Sequence, residues 1–309
     1  MKKIALLGAT GYIGKSLLHE FFDDKSKFQL FLFSRPKDNI KNIVKDKPKD
    51  CDIKVCPLDE FNLSDYDVII NCTGIGDPLV LKNDPSSIFK VTEEIDNMII
   101  GYLERKPKTI YINLSSGAVY GDSFEKAITS ETKSILNINN IRVSEYYAVA
   151  KINAEAKHRS VPNLNIVDLR VFAFFGHFVN TKTGFLMSEI VDCIKNKKVF
   201  ETNEVNIVRD YITPKDLFSL IKLIIKKGKI NDFFDVYSLK PISKFELLSF
   251  LEKKYGLKYV INKSSVKNSN SSKNIYYSKN KKAGEIGYSP TQNSMNGIGS
   301  EIDKMILFA

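Results

Sequence analysis

Tyr147 and Lys151 stand four residues apart in VSEYYAVAK, Val143–Lys151. On a helix that spacing puts both side chains on one face, whereas Tyr146 diverges from its neighbour by roughly 100°. A phenol ordinarily titrates near ~10. A cation beside it lowers that value, and each unit lowered is about 1.4 kcal/mol of differential stabilisation. Tyr147 with Lys151 could therefore act as an acid/base, and could equally be a solvated pair on an amphipathic helix. What accompanies the pair decides.

Near the N-terminus, KIALL runs straight into GATGYIG, residues 8–14, which places Gly8, Gly11 and Gly14 at three-residue intervals around Thr10, Tyr12 and Ile13. Between a buried strand and a helix, such glycines let the backbone approach a pyrophosphate. The helix start then offers unpaired N–H groups and positive partial charge. At the end of the next apolar run, FLFSRPKD supplies Ser34 and Arg35, with no acid before Asp38. An acid there would bind the ribose 2′-hydroxyl of NAD; an arginine suits the 2′-phosphate of NADP. Arg35 could pair bidentately with phosphate and stack on adenine, or be a solvated loop arginine. NADP is favoured, and NAD stays possible. A further serine, Ser116 in NLSSGAVYG, leaves the carboxyl end of a strand, where a hydroxyl points into a ligand crevice or caps its own turn.

These residues need a scaffold, and the first half of the chain describes one. Short apolar runs (KIALLGA, QLFLFS, DIKVCPL, DVIINCT, TIYINLSS, LNIVDLRVF) alternate with amphipathic segments near Ile13–Asp23, Ser87–Arg105 and Val143–Ser160. That is the rhythm of βαβ units, with strands covered on both faces. The expected fold is α/β, a doubly wound parallel Rossmann sheet with a smaller C-terminal α/β substrate lobe. Residues 1–172 and 205–238 would form the cofactor-binding domain, and 173–204 and 239–309 the lobe. In the second half a helix is expected over Gly184–Asn196 and a strand through NIVRDYI. Pro214 suits the first turn of another helix, and Ser243 with Glu246 makes a capping box. NKSSVKNSNSSKN reads as a polar loop, followed by a short helix at KKAGEI and a C-terminal one.

Bulk composition narrows the function classes. No apolar run approaches the ~20 residues that span a bilayer, and the N-terminal run of five is short for a signal peptide, so the cytoplasm is expected. Cys51, Cys56, Cys72 and Cys193 show no metal-ligand spacing, and no metal is expected. Net charge is +10, from 46 Lys+Arg against 36 Asp+Glu. The lysines are spread rather than clustered with aromatics, which argues against a nucleic-acid surface.

GATGYIG, SSGAVYG, YAVAK and VRDYITPKDL occur here in the order found in the extended short-chain dehydrogenase/reductases. Over residues 1–220 the chain resembles their NAD(P)-dependent epimerase/dehydratase branch, which modifies nucleotide sugars, as in polysaccharide biosynthesis. The resemblance implies that Tyr147 is the acid/base and that Lys151 activates it while binding the nicotinamide ribose. It selects Ser116 over Ser115 as the hydroxyl beside them. Thr73 and Gly74 match the segment along the cofactor, and Arg209 the arginine that often binds the nucleotide diphosphate. His177, after the sixth strand, is a candidate for reaching the substrate. A homodimer through a helical bundle containing Val143–Ser160 is common in the family.

Departures from the family pattern point to a reaction. Dehydratase members carry an Asp–Glu pair where this chain has Gly117 and Ala118, and 3,5-epimerase/reductases a cysteine at the Gly117 position. Ala173 stands where several 4-epimerases have a substrate-binding asparagine. What remains is hydride transfer with one proton transfer. The expected activity is reduction of the 4-keto group of a nucleotide sugar, with a 4-epimerase as the near alternative. A non-catalytic NADP-binding sensor is the alternative of another class.

Overall fold

All six expected strands form in the computed structural model, which describes residues 1–24, 28–34, 40, 44–45, 47–48, 51–76, 83–121, 124–262 and 273–307. They are β1 (Lys2–Leu7), β2 (Phe28–Phe33), β3 (Asp52–Cys56), β4 (Val68–Asn71), β5 (Ile110–Ser116) and β6 (Asn165–Val171), each paired in parallel with its neighbours. Four short strands follow outside this sheet: β7 (Ala173–Phe174), β8 (Val199–Thr202), β9 (Val208–Arg209) and β10 (Tyr211–Ile212). Then β11 (Asn231–Val236) returns to pair with β6, a strand the apolar pattern does not announce because Asn231, Asp232 and Asp235 interrupt it. Spatial order is β11-β6-β5-β4-β1-β2-β3. The winding reverses between β1 and β4, and in open parallel sheets the ligand crevice lies at the carboxyl ends of such a pair.

The side-chain alternation of the strands builds two apolar layers. On β1, Ile4 and Leu6 face one cluster and Ala5 and Leu7 the other. On β5, Ile112 and Leu114 oppose Tyr111 in the same way. One layer is covered by helices α1 (Tyr12–Asp23) and, later in the chain, Pro214–Lys227, through Leu17, Leu18, Leu217 and Ile221. The other is covered by α2 (Ser87–Arg105), through Ile95, Ile99 and Leu103. Strands sandwiched like this must be apolar on both faces, which is why they read as near-continuous runs.

Helix α3 (Tyr146–Ser160) packs beside α2; the three residues before it, Val143–Glu145, form a separate 3₁₀ turn rather than the first turn of one long helix. Helices α4 (Leu186–Asn196), α5 (Pro214–Lys227), α6 (Lys244–Tyr255) and α7 (Ser294–Leu307) complete the fold. Thr213 caps α5 with Pro214 at its first position, and the Ser243–Glu246 capping box opens α6. The stretch NIVRDYI is not one strand. It breaks at the buried Asp210, whose carboxylate accepts from Ser238 N (3.0 Å) and Ser294 Oγ (3.1 Å), so β9 and β10 join different partners. β9 pairs with β12 (Ile242–Ser243) and, beyond β13 (Lys258–Ile261), with β14 (Ile275–Tyr276); β10 pairs with β7. Most of the polar stretch at 262–274 lies outside the described residues. A separate apolar cluster ties α4, α6 and α7 together through Met187, Ile190, Leu247, Leu251 and Ile298.

Candidate active site

The glycine turn is as tight as its sequence suggests. Gly8 has φ +74°, where a side chain is strained. A Cβ on Gly14 would lie 2.2 Å from Gly8 O, so only glycine lets α1 start there. Gly8 N and Ala9 N donate to Phe33 O (3.0 and 3.3 Å), which pins the turn beside Ser34 at the end of β2. Helix α1 has no side-chain cap on Gly11 and no acid in its first turn. Its leading N–H groups and dipole are thus suited to an anion such as a pyrophosphate. Tyr12 and Ile13 contribute at the turn through their backbone, because their side chains are used elsewhere. The Tyr12 hydroxyl bonds both Gly176 O (3.1 Å) and Gly176 N (2.7 Å), and Ile13 packs on the core. Arg35 lies outside the described residues.

At the end of β4, Thr73 donates its N–H to Asn71 Oδ1 (3.0 Å), and Asn71 Nδ2 donates to the Tyr111 hydroxyl (3.0 Å). This buried chain fixes the backbone from Asn71 into Gly74. Lys151 is buried on α3 and donates to Leu114 O (2.8 Å). An ammonium has three protons, and Nζ lies beside Gly74, where a Cβ would stand 3.9 Å from it. Lys151 Nζ also sits 6.0 Å from the centre of the Tyr147 ring, one helical turn back. Burial pushes the Cys72 thiol up to about 12 against the pull of Lys151, so it is no nucleophile.

The two tyrosines part company. Tyr146 packs on Phe89 of α2, ring centres 5.5 Å apart. Tyr147 instead keeps company with Lys151 and is within electrostatic reach of Tyr276. The two serines diverge in the same manner, as strand alternation requires. Ser115 donates to buried Glu155 (2.5 Å), whereas Ser116 Oγ lies 3.4 Å from the Tyr276 hydroxyl and accepts from Ala118 N (3.2 Å). Ser116, Tyr147 and Lys151 are therefore gathered at the carboxyl end of β5.

Arg209 joins them from β9, its guanidinium 5.7 Å from the Tyr276 ring centre and donating to Val208 O (2.9 Å). Burial lowers its pKa. His177 is not brought to this group. Its Nδ1 (2.8 Å) and backbone N (2.9 Å) both bond Glu301 of α7, and its ring packs at a tilt against Phe178.

Two residues of the site escape sequence reasoning. Tyr276 follows a polar stretch with no periodicity to place it. Phe172 directly follows β6, with its ring against Gly117, where a Cβ would fall 2.4 Å from Cδ1. That ring leaves no room for a side chain at Gly117. Among the described residues there is no group of three or more His, Cys, Asp or Glu able to hold a metal, and no helix long and apolar enough to cross a membrane.

Solved structures share the fold over almost their whole length at low identity. The UDP-N-acetylglucosamine 4-epimerase from Methanobrevibacter ruminantium, in complex with UDP-N-acetylmuramic acid, is similar with TM-score 0.80 at 17% identity, covering 100% of this chain and 99% of that one. The UDP-glucuronic acid 4-epimerase from Bacillus cereus, with UDP-glucuronic acid and NAD, gives TM-score 0.77 at 18%, covering 99% and 100%. The dTDP-glucose 4,6-dehydratase from Bacillus anthracis, with NAD, gives 0.74 at 17%, covering 98% and 96%. No curated protein sequence matches the chain. The NAD dependent epimerase/dehydratase family model matches residues 4–237, three quarters of the sequence and every motif of the crevice, and the chain belongs to that family.

Proposed function

We propose that this enzyme reduces the 4-keto group of a nucleotide-activated sugar, with Tyr147 as proton donor. The observation that carries the reading is the gathering of Ser116, Tyr147 and Lys151 at one strand end while Phe172 leaves no room for a side chain at Gly117. A phenol paired with a buried ammonium, with no carboxylate at Gly117 or Ala118, suits hydride transfer coupled to a single protonation.

The turn Gly8–Gly14, the start of α1, Ser34, Thr73 and Gly74 would hold a nicotinamide dinucleotide, with Lys151 and Tyr147 at its nicotinamide ribose. Bound there, the dinucleotide supplies the hydride. Tyr147 gives its proton to the oxygen of the reduced carbon. Ser116 donates a hydrogen bond to that same oxygen, and the Lys151 ammonium stabilises the phenolate left behind. Arg209 pairs with the substrate diphosphate. Arg35 supports NADP, while the solved structures of the same fold that carry NAD favour that cofactor.

A second reading, 4-epimerisation, is favoured by the 4-epimerases among the similar structures and opposed by Ala173 at the asparagine position. One experiment separates the two. The protein is given reduced cofactor with a nucleotide-4-keto-6-deoxyhexose, and separately a nucleotide-hexose with oxidised cofactor. Stoichiometric loss of reduced-nicotinamide absorbance in the first supports the reductase. Interconversion of C4 epimers with no net absorbance change in the second supports the epimerase. A product lighter by one water from a nucleotide-hexose would overturn both. Isothermal titration of Arg35→Ala and the parent with NADPH and NADH tests the cofactor: the parent should prefer NADPH, and the variant should lose most of the difference.

A further inference from the structure

Ser116 is a useful donor only if its own proton points at the substrate, and a serine hydroxyl is free to rotate. It has one proton to give and two lone pairs to receive. One lone pair takes the N–H of Ala118 at 3.2 Å. The described polar neighbour for the rest of its capacity is the Tyr276 hydroxyl, 3.4 Å away. Either oxygen of that pair can donate, and the two choices have opposite consequences. If Ser116 gives its proton to Tyr276, nothing remains for a substrate oxygen. If Tyr276 gives its proton to Ser116, both serine lone pairs are filled and the serine proton must point away from them.

The second arrangement leaves the serine proton for the substrate, and the surroundings of Tyr276 allow it. Burial raises the Tyr276 pKa above that of an ordinary phenol against the opposing hydrogen bond with Ser116, so Tyr276 stays protonated and has a proton to give. Its ring is held on two sides by Phe124 and Phe172, centres 4.7 and 5.2 Å away. Arg209 and Lys273 lie against the same ring, at 5.7 and 4.9 Å from its centre. A ring held in this way fixes the phenolic oxygen beside Ser116 Oγ, with its O–H able to turn toward that acceptor.

We infer that Tyr276 is a positioning residue: by donating to Ser116 Oγ it fills the serine's second lone pair and makes Ser116 an obligate hydrogen-bond donor to the reacting oxygen. Tyr276 lies on β14 of the C-terminal lobe, and Ser116 on β5 of the main sheet. Seating of the lobe and the donor state of the serine are thereby one event. The inference rests on the hydride-transfer reading above.

Tyr276→Phe removes one hydroxyl and keeps the ring contacts, so the test compares it with Ser116→Ala and the double variant in hydride transfer to or from a nucleotide-hexose. Tyr276→Phe should lower kcat by roughly 10-fold, about one hydrogen bond, with KM and cofactor affinity little changed. In the Ser116→Ala background the same change should cost nothing, since there is no serine proton left to orient. Equal losses in the two backgrounds, or a Tyr276→Phe protein as fast as the parent, overturn the inference and leave the reaction assignment standing. A parent protein that moves no hydride with any nucleotide sugar overturns the assignment and the inference together.

Discussion

His158, near the end of α3, is fully buried between two carboxylates, and replacing it with glutamine should remove a specific pH dependence of stability. Its Nε2 lies 2.7 Å from Asp96 of α2 and its Nδ1 2.9 Å from Asp168 of β6. Around them, Lys157 pairs with Asp96 (2.6 Å) and Arg159 with Asp168 (3.0 Å). The Tyr111 hydroxyl and Asn113 complete the ring of partners, donating to Asp96 (3.0 Å) and Asp168 (2.7 Å). Burial alone would push the imidazole down. The hydrogen bonds and charges of Asp168 and Asp96 overcome it and lift the pKa from 6.5 to about 9.

Because the folded pKa is the raised one, the stabilisation is complete below pH 6.5 and is lost as pH climbs through about 9. At about 1.4 kcal/mol per pH unit between those limits, the total is on the order of 3 kcal/mol. His158→Gln keeps an amide between the carboxylates but carries no charge. Urea unfolding of both proteins should show the parent ahead by about 3 kcal/mol near pH 6. The gap should close toward pH 9.5, because the parent falls while the variant stays level. Parallel profiles across that window would refute a charged His158 and leave a neutral, purely hydrogen-bonding one.

Two further predictions concern the crevice. Tyr147→Phe should slow hydride transfer about 10²–10⁴-fold with cofactor affinity retained, and Tyr146→Phe should be nearly silent because its ring serves Phe89; single-turnover absorbance decides, and an inactive Tyr146→Phe would redraw the site. Gly117→Asp alone should gain no dehydration and should lower thermal stability, because the Phe172 ring occupies the space; a stable variant producing a 4-keto-6-deoxy sugar by mass would contradict that packing.

What could be read from the residues alone divides along a physical line. The sheet was legible because strands buried on both faces must be apolar throughout, and the glycine turn because only glycine allows Gly8 O to approach residue 14 so closely. Tyr147 was separable from Tyr146 because helical geometry is periodic and local. β11 was hidden because Asp235 looks like a loop residue until Tyr120 and Ser278 are seen donating to it from distant segments. Tyr276 was hidden for the same reason: its meaning comes from Ser116, 160 residues away. Local spacing therefore announces Tyr147 and Lys151, the residues proposed for proton transfer. The contact proposed to orient Ser116 is long-range, between β14 and β5, and exists only once the chain has folded. Phe172 marks the boundary between the two. Its partner Gly117 reads locally only as a missing side chain, and the packing shows an aromatic ring against it.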